Sequence, residues 1–362
     1  MDEKECWLWL SYVEEMWQGK MEILYEYFHS AKEIYKATEK EYKKIKGINP
    51  MDIDRLLKGK KDIDVEKIEK MLEKKNIKYT FYSDTEYPVR LYDIKNPPMV
   101  LFYKGRLPMK ERKAAGIVGA RICTEYGKSV AYEVSKKLSF NNIDVISGMA
   151  RGIDSMAHLG SIENDGYTYA ILGCGVDICY PAQNIELYER ITQKGGVISE
   201  YIPQTEPLAW HFPSRNRIIS ALSDSVVMVE AKEKSGSFIT VDYALEQGKS
   251  VYAVPGRLND PLSIGCNKLI SEGAIPLTST GQVAADLSGE NFMENSSEKK
   301  LCLEKEFEML YSCLGFMPMT ACQLAQKSGM EIDRVYEGIM HLQLEGAIEE
   351  VAKGQYITKG RI

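Results

Sequence analysis

The chain has 362 residues, of which 44% are hydrophobic and 27% are charged, and its formal net charge is −6. This length predicts two or three domains with enough apolar material for a core. No stretch approaches eighteen consecutive apolar residues, and the acidic-leaning start at residues 1–5 lacks the basic and apolar regions of a signal peptide. We therefore expect a cytoplasmic, globular protein without a membrane span.

The eight cysteines include no Cys-x-x-Cys spacing, and neither Cys174 nor Cys179 has a histidine nearby in the sequence. Zinc sites usually show such spacings. Reduced thiols in a cytosolic protein are therefore favoured over a zinc site, and we expect no bound metal.

Residues 1–80 show the apolar spacing of helices, as in Trp7, Leu10 and Val13. A basic segment with a glycine turn, residues 42–49, lies between two of these helical patterns. It is compatible with a helix-hairpin-helix unit that grips a nucleic-acid backbone, or with a helical cap whose lysines are solvated. The cap is the favoured interpretation.

Residues 81–285 alternate between short apolar runs and stretches with helical periodicity. The predicted strands are Ala115–Val118, Ile143–Ile146, Tyr167–Leu172, Gly196–Ile198, Ser225–Val229 and Ser250–Val254. The predicted helices between them include Tyr126–Phe140, Asp154–Glu163 and Phe238–Gln247. Short buried strands separated by helices imply right-handed βαβ crossovers. The predicted fold class is therefore α/β, with an extended Rossmann-like, mostly parallel sheet.

The C-terminal part of the chain is predicted to form a separate small domain. Residues 286–300 are polar and are predicted to be a linker. Residues 301–362 then show three helical patterns followed by two short strands that meet at Lys353-Gly354. Three helices and a hairpin in this order predict a winged helix-turn-helix domain.

Four tight turns in the middle of the chain combine small residues with polar or basic ones. They are Gly119-Ala120-Arg121, Ser147-Gly148-Met149-Ala150-Arg151-Gly152, Phe212-Pro213-Ser214-Arg215-Asn216-Arg217 and Ser235-Gly236-Ser237. The first, second and fourth follow an apolar run and precede a predicted helix. A parallel sheet would gather them along one edge, where backbone N–H groups and helix N-termini attract phosphate. We therefore expect the functional site at this edge.

Each turn has a structural interpretation beside the functional one. In the first turn, Gly119 and Arg121 suit a phosphate in front of a helix capped by Thr124, but the glycine also permits tight strand–helix packing. In the second turn, Asp154 and His158 stand four residues apart on a predicted helix. A capping aspartate and a packed histidine are favoured there over a metal or acid–base pair.

The third and fourth turns differ in what they offer. Arg215 and Arg217, two residues apart, point to different sides of a helix start, so that one can serve a ligand and the other an ion pair. Phe212 suits either base stacking or anchoring of the loop. In the fourth turn, the hydroxyl and N–H groups of Ser235, Gly236 and Ser237 suit phosphate oxygens.

The local distribution of charge favours an anionic ligand, although the chain as a whole is acidic. Residues 105–285 contain 18 Lys and Arg and 19 Asp and Glu, a balance of −1. Several of the arginines lie in or beside the turns and not on helix faces. This distribution predicts a positive groove on a neutral body.

Five ordered motifs, spread over about 140 residues, closely resemble the DNA-processing protein A family (DprA, also called Smf). They are GIVGARICTEYG (116–127), SGMARGIDSMAH (147–158), AILGCGVDICYPAQN (170–184), FPSRNRIIS (212–220) and SGSFITVDYALEQGKSVYAVPG (235–256). The flanks are also similar to those of the family, with an N-terminal helical SAM-like domain and a C-terminal winged-helix domain.

The resemblance implies a protein that binds single-stranded DNA without marked sequence preference, shields it and helps load a RecA-type recombinase in natural transformation. It implies no catalysis and no cofactor, and self-association as a homodimer. Carried over by position, it nominates Gly119, Arg121, Ser147, Gly148, Arg151, Gly152, Asn184, Arg215 and Arg217 as DNA contacts. The chemistry of the turns adds Ala120, Phe212, Asn216, Ser235, Gly236 and Ser237 to the predicted DNA-binding set.

Two alternatives come from other classes of protein. The SGSFIT turn also resembles that of phosphoribohydrolases, which cleave N-glycosidic bonds with a glutamate, but Tyr243 stands where that glutamate is expected. Alternatively, the tail domain binds DNA and the Rossmann-like domain senses a nucleotide. In the tail domain, the predicted recognition helix spans residues 331–345. It carries four acidic residues and one arginine, Arg334, which argues against contact with phosphates. A surface for protein contact is favoured there.

Overall fold

A computed structural model describes residues 1–289, 292–293, 305–315 and 318–358. Six helices occupy most of the first 74 residues: α1 (Glu3–Ser11), α2 (Gln18–Phe28), α3 (Ala31–Lys36), α4 (Glu39–Tyr42), α5 (Pro50–Asp62) and α6 (Val65–Lys74). None of the helices in these ranges is long and apolar enough to cross a membrane.

The rest of the large body alternates strands and helices around one sheet. Its strands are β1 (Lys78–Phe81), β2 (Val100–Gly105), β3 (Ala114–Val118), β4 (Asp144–Ser147), β5 (Thr168–Ile171), β6 (Gly196–Ser199), β7 (Ser225–Met228), β8 (Ser250–Ala253) and β9 (Ile275–Pro276). Its helices are α7 (Glu125–Phe140), α8 (Ile153–Ile162), α9 (Ile185–Lys194), α10 (His211–Leu222), α11 (Phe238–Glu246), α12 (Ile264–Ser271) and α13 (Gln282–Ser288).

The nine strands form a sheet in the order β1-β2-β6-β5-β4-β3-β7-β8-β9. All pairings from β6 to β9 are parallel, and only the β1–β2 and β2–β6 pairings are antiparallel. The predicted α/β class with a mostly parallel, Rossmann-like sheet is therefore confirmed. Each strand predicted from an apolar run is present in the sheet.

The central strands are apolar throughout because both faces of the sheet are covered. Side chains of β7 alternate between the faces, as a strand's period of two requires. Val226 and Met228 belong to the core formed with α10, α11 and α12. Val227 belongs to the core formed with α7, α8 and α13 on the other face. The result is a three-layer body in which the strand ends are left open.

The N-terminal helices share a core with one edge of the sheet. Trp7 on α1 stacks on Phe81 of β1, with ring centroids 6.0 Å apart, and Tyr12 contacts the ring of Phe102 of β2 edge-on. The predicted domain boundary at residue 80 falls inside β1. Apolar spacing shows where helices end, but it does not show which sheet the next strand joins.

The basic segment between α4 and α5 has a turn at Gly47, which has a φ of +101°. Ile45 and Ile48 are buried there, whereas Lys43, Lys44 and Lys46 are exposed. The N-terminus of α5 is already occupied by the buried carboxylate of Asp52, which accepts a hydrogen bond from the backbone N–H of Asn49. This arrangement supports the helical cap over the helix-hairpin-helix unit.

The C-terminal part contains α14 (Lys305–Cys313), β10 (Met319–Thr320), α15 (Ala321–Ser328), α16 (Ile332–Leu344), β11 (Ile348–Ala352) and β12 (Gln355–Thr358). The strands pair in the order β10-β12-β11. Three helices and a hairpin thus occur in the predicted order, and the winged-helix assignment stays a prediction. The predicted linker begins too early, because α13 continues to Ser288 and caps the sheet's face. Residues 290–291 and 294–300 of that linker lie outside the described residues.

Candidate nucleic-acid interface

The strand order reverses at the centre of the sheet, between β3 and β7. From β3 the chain proceeds outward through β4, β5 and β6, and then returns to the other side of β3 to add β7, β8 and β9. Connections that leave in opposite directions open a crevice at the carboxyl ends of the two strands. Val118 ends β3 and Met228 ends β7 at this point. The topology therefore predicts a ligand site here, independently of any motif.

A cleft of about 460 Å³ occupies this position, and we call it the switch-point cleft. Eight of the predicted DNA-binding residues line it: Gly119, Arg121, Phe212, Arg215, Asn216, Ser235, Gly236 and Ser237. Lys234, Ala150, Asp154 and Thr240 also line it and were not in the predicted set. The lysine directly precedes the fourth turn, so its place in the sequence was an available signal.

The third predicted turn is helical. Residues 212–217 form the first two turns of α10, which begins at His211. Pro213 is tolerated because the first N–H groups of a helix need no partner within the helix. Residues two positions apart on a helix point in directions that differ by about 200°. The side chains of Arg215 and Arg217 therefore diverge. Arg215 points to the switch-point cleft, and Arg217 points away from it.

Arg217 is a structural residue, which corrects its prediction as a DNA contact. Its guanidinium donates to both carboxylate oxygens of Glu200, at 2.7 Å each, and to the carbonyl of Asn96. Both charged side chains are buried, with 6% and 7% of their surfaces exposed. The Glu200 carboxylate and the hydrogen bonds raise the pKa of Arg217 against the opposing effect of burial. The pair joins α10 to the segment that follows β6.

The ring of Phe212 lies close to two cations of the cleft. The guanidinium carbons of Arg121 and Arg215 lie 5.7 Å and 5.8 Å from its ring centroid. The half-exposed ring of Tyr180 lies 5.4 Å from Phe212 at an angle of 38°. Planar groups next to cations are what a single-stranded nucleic acid needs for base stacking and phosphate contact. Phe212 and Tyr180 are therefore the stacking candidates.

Arg215 forms the floor of the cleft. Its Nη1 donates to the carbonyl of Gly148 at 2.8 Å, while its Nε is buried without a hydrogen-bond partner among the described residues. Burial lowers the pKa of Arg215 to about 10, and the neighbouring Asp154 carboxylate acts in the opposite direction. The guanidinium is therefore still charged at neutral pH. A buried, charged and incompletely satisfied arginine is suited to an incoming anion.

The second turn is held in place by a carboxylate of the helix that follows it. Asp154 accepts hydrogen bonds from the backbone N–H groups of Gly148 and Ala150, at 3.2 and 3.3 Å. Ser147 is fully buried and donates to the carbonyl of Ile117 at 2.6 Å. Ser147 and Gly148 are thus not accessible to DNA, which corrects their prediction as contacts. The N–H groups of Gly148 and Ala150 are engaged by Asp154 and are not available to a phosphate.

His158 is a packed histidine, as the favoured interpretation of the second turn required. Its Nδ1 lies 2.6 Å from the Thr168 hydroxyl, and burial lowers its pKa to about 3. Among the described residues, no group of three or more His, Cys, Asp or Glu side chains is placed to hold a metal ion. His158 is therefore part of the core. The predicted capping role of Asp154 is wrong, because the N-cap of α8 is Gly152 without a side-chain cap, and Asp154 instead binds N–H groups of the turn before the helix.

In the first turn, other residues of this chain already fill the space where a phosphate was expected. A Cβ on Gly119 would lie 2.7 Å from the side chain of Ile153, so this glycine permits close packing of β3 against α8. The buried carboxylate of Glu230 accepts from the backbone N–H and the hydroxyl of Thr124, which caps α7 as predicted. The expectation that the α7 N-terminus faces a phosphate is wrong, because Glu230 fills that position. Arg121 alone extends from this turn into the cleft.

The fourth turn is open. The Ser235 and Ser237 hydroxyls are 2.7 Å apart, and α11 begins at the next residue. A Cβ on Gly236 would meet no atom within 4 Å. The first N–H groups of α11 itself donate to the carbonyls of Ser235, Gly236 and Ser237. The backbone with open space in front of it is therefore that of the Ser235-Gly236-Ser237 turn at the start of α11, and this turn offers the anion position.

The remaining predicted residues support the cleft from outside its lining. Gly152 has a φ of +73°, and a Cβ there would lie 2.5 Å from the carbonyl of Ala120. Asn184 donates from Nδ2 to the carbonyl of Met149 and to the hydroxyl of Ser155, at 3.0 Å each. It therefore fastens one loop to the second turn. Arg151 is exposed outside the lining, and its role as a DNA contact stays a prediction.

The charge of the lining is positive although the chain is acidic. Arg121, Arg215 and Lys234 face a single carboxylate, that of Asp154. Burial raises the pKa of Asp154, and the Arg215 cation acts against this effect. The cleft thus concentrates cations, an aromatic ring and an open turn at the start of a helix within one site. This combination fits a phosphate-bearing ligand with planar bases.

Comparison with known proteins shows which family this chain resembles. The sequence model of the DNA recombination-mediator protein A family matches residues 78–288, which include the whole cleft. The chain is 42% identical over 203 residues to DNA processing protein DprA of Streptococcus pneumoniae, covering 56% of this chain and 72% of the relative. It is 42% identical over 210 residues to DprA of Bacillus subtilis, covering 58% of this chain and 71% of the relative.

Solved structures show the same similarity. The crystal structure of DprA from Streptococcus pneumoniae aligns with a TM-score of 0.68 at 33% identity, over 79% of this chain and 99% of that one. A structure describing the single-stranded DNA binding mode of DNA processing protein A from Helicobacter pylori aligns with a TM-score of 0.54 at 27% identity, over 60% and 99%. By its matched sequence and its fold, this chain belongs to the DNA recombination-mediator protein A family.

Proposed function

We propose that this protein binds single-stranded DNA in the switch-point cleft. The observation that carries the proposal is that the Phe212 ring lies 5.7 Å and 5.8 Å from the guanidinium carbons of Arg121 and Arg215, in one cleft with the Ser235-Gly236-Ser237 turn. A strand would place a phosphate against the arginines and the Ser235–Ser237 turn, and a base against Phe212. Both contacts are independent of base identity, so binding is expected to tolerate any sequence.

The cellular role that fits this site is DNA processing in recombination. Two relatives at 42% identity are named DNA processing proteins, and one solved relative is described by its single-stranded DNA binding mode. We infer that this protein shields incoming single strands and helps load a RecA-type recombinase onto them, working in the cytoplasm as a homodimer without catalysis. The winged-helix part is proposed to serve contacts other than DNA.

Nucleotide hydrolysis remains the alternative to be excluded. Tyr243, which stands in place of the expected glutamate, lies outside the switch-point cleft and lines a different cavity together with Arg90 and Lys249. The one carboxylate in the cleft, Asp154, is engaged with backbone N–H groups. We therefore expect no release of free base when the protein is incubated with nucleoside monophosphates. Release that disappears in an Asp154→Asn variant would favour the enzyme.

The stacking and charge contacts can be separated by titrating a fluorescent oligo-dT at several salt concentrations. Phe212→Leu removes the ring but no charge, so affinity should fall by about tenfold or more while the salt slope stays unchanged. Tyr27→Leu is the matched control, because Tyr27 is a half-exposed aromatic residue on α2, away from the cleft. Equal affinity of the Phe212→Leu variant and the wild type would contradict the proposed stacking role.

Arg121→Ala tests the charge contact in the same titration. Because the variant lacks one phosphate-binding cation, the slope of log affinity against log salt should become shallower by about 0.7. Arg190→Ala is the control, since Arg190 is an exposed arginine on α9 that pairs with Glu163. An unchanged slope for Arg121→Ala would remove Arg121 from the site.

A further inference from the structure

Helix α16 carries a row of exposed apolar side chains. Ile332, Tyr336, Met340 and Leu344 follow one another at intervals of four residues, and their exposed fractions are 39%, 54%, 65% and 84%. Residues four apart lie on the same side of a helix. We call this row the outer stripe. Single exposed apolar residues are ordinary, but a contiguous row marks a contact surface.

The small C-terminal core is complete without the outer stripe. The opposite side of α16 is buried by Val335, Ile339 and Leu342. At Gly338 the helix approaches α14 so closely that a Cβ would lie 2.5 Å from the side chain of Leu310. The packing of α16 on α14 therefore uses the inner side alone. Nothing in the described part of this module requires the outer stripe to be apolar.

Acidic side chains border the outer stripe. Glu331, Asp333, Glu337 and Glu345 are all exposed, and Arg334 is the one basic residue in residues 331–345. The Nη1 of Arg334 lies 2.6 Å from the Glu337 carboxylate, so its charge is compensated. This surface repels phosphates, which argues against DNA as its ligand. It also disfavours a symmetric contact with the same face of a second copy, because that would bring acidic borders together.

We propose that the outer stripe is the docking site for a basic amphipathic helix of another protein. The apolar side chains of such a helix would pack on Tyr336 and Met340, and its flanking lysines or arginines would face the acidic border. Helices recognised in this way present apolar residues at i, i+3 or i+4 and i+7. The docking site is separate from the switch-point cleft and does not depend on the proposed DNA binding.

The test uses the full chain and a synthetic, fluorescently labelled helix peptide with leucines at the i, i+4 and i+7 positions and lysines or arginines beside them. The peptide should bind the wild type, and Met340→Glu should weaken binding by about tenfold or more. Met51→Glu is the matched control, since Met51 is an equally exposed methionine on α5, 64% against 65%. Because both positions are exposed, circular dichroism should show both variants folded.

A second peptide, with glutamates replacing the lysines and arginines, tests the charge complementarity. Glu337→Lys should weaken binding of the basic peptide and strengthen binding of the acidic one. Equal binding of the basic peptide to the wild type and Met340→Glu would overturn the proposal. So would loss of self-association in Met340→Glu by sedimentation, which would identify a second copy as the occupant, or loss of oligo-dT affinity in Met340→Glu, which would identify DNA.

Discussion

At the scale of single residues, two neighbouring arginines show what a pattern of residue types can and cannot predict. The helical spacing of Arg215 and Arg217 predicts that they diverge, and they do. Which of them meets the cleft depends on Glu200 and Asn96, which lie far away in the sequence and reach Arg217 through the fold. Both positions hold an arginine, so the sequence alone predicts both as DNA contacts.

The ion pair of Arg217 belongs to stability and not to binding. Arg217→Met leaves the Glu200 carboxylate buried without its partner, so the free energy of unfolding should fall by about 3–5 kcal/mol in urea titrations. The double variant Arg217→Met, Glu200→Met should recover most of that loss, since neither buried charge remains. If Arg217→Met instead unfolds like the wild type but binds oligo-dT weakly, then Arg217 contacts DNA and is not a structural residue.

His158 predicts how stability changes with pH. Its pKa is about 3 in the folded protein and about 6.5 when exposed, so between these values the unfolded chain binds one more proton. Stability from this group is therefore fully present above pH 6.5 and is lost as pH falls toward 3. In His158→Gln, the slope of unfolding free energy against pH between 4 and 6 should fall by about 1.4 kcal/mol per unit. Identical slopes in both proteins would show that the imidazole is accessible to protons.

At the scale of elements, the turns before three helices meet at one edge of the sheet, and in two of these turns backbone N–H groups already donate to carboxylates of the chain itself. The alternation of apolar runs and glycine turns predicts all three positions. It does not predict that Glu230, 106 residues after Thr124, closes the start of α7. Asp154 closes the second turn from within α8, and its position four residues after Ala150 was a readable signal. In the described part of the chain, no carboxylate fills the Ser235-Gly236-Ser237 turn at the start of α11.

Ser237→Asp tests whether the turn at the start of α11 is the anion position. The new carboxylate would sit where a phosphate is expected, so oligo-dT affinity should fall by about tenfold or more. Folding should be unaffected or slightly improved, because a negative charge at a helix N-terminus is favourable. Ser237→Asn supplies the control of the same size without the charge. Strong binding by Ser237→Asp together with a normal salt slope would place the phosphate elsewhere.

At the scale of the whole molecule, the parallel sheet and its ligand-binding edge could be predicted from the sequence. The boundary between the N-terminal helices and the sheet was harder to predict. Buried strands such as Val226–Met228 are continuous apolar runs, so their position is evident from the sequence. The union of the N-terminal helices with β1 and β2 depends on aromatic contacts such as Trp7 on Phe81, which no local periodicity reveals. The position of the cleft follows from the reversal of strand order between β3 and β7. The short motifs indicate which residues lie near it, but they do not give the strand order.

The C-terminal module is expected to be dispensable for DNA affinity. A chain ending at Gly289 keeps the entire switch-point cleft and all of α13. Its affinity for oligo-dT should stay within about twofold of the full chain, because the acidic α16 contributes no phosphate contact. Binding of the basic helix peptide should vanish in the same truncated chain. A large loss of DNA affinity on truncation would assign DNA contacts to the module.

The most direct test of the central claim is a comparison of single-stranded and duplex DNA of equal length, titrated with the full chain over a range of salt concentrations. The proposed cleft accepts unpaired bases against Phe212 and phosphates against Arg121, Arg215 and the start of α11. The account predicts tighter binding of the single strand at every salt concentration, with affinity falling steadily as salt rises. Equal or tighter binding of the duplex, or affinity for the single strand that does not change with salt, would contradict it.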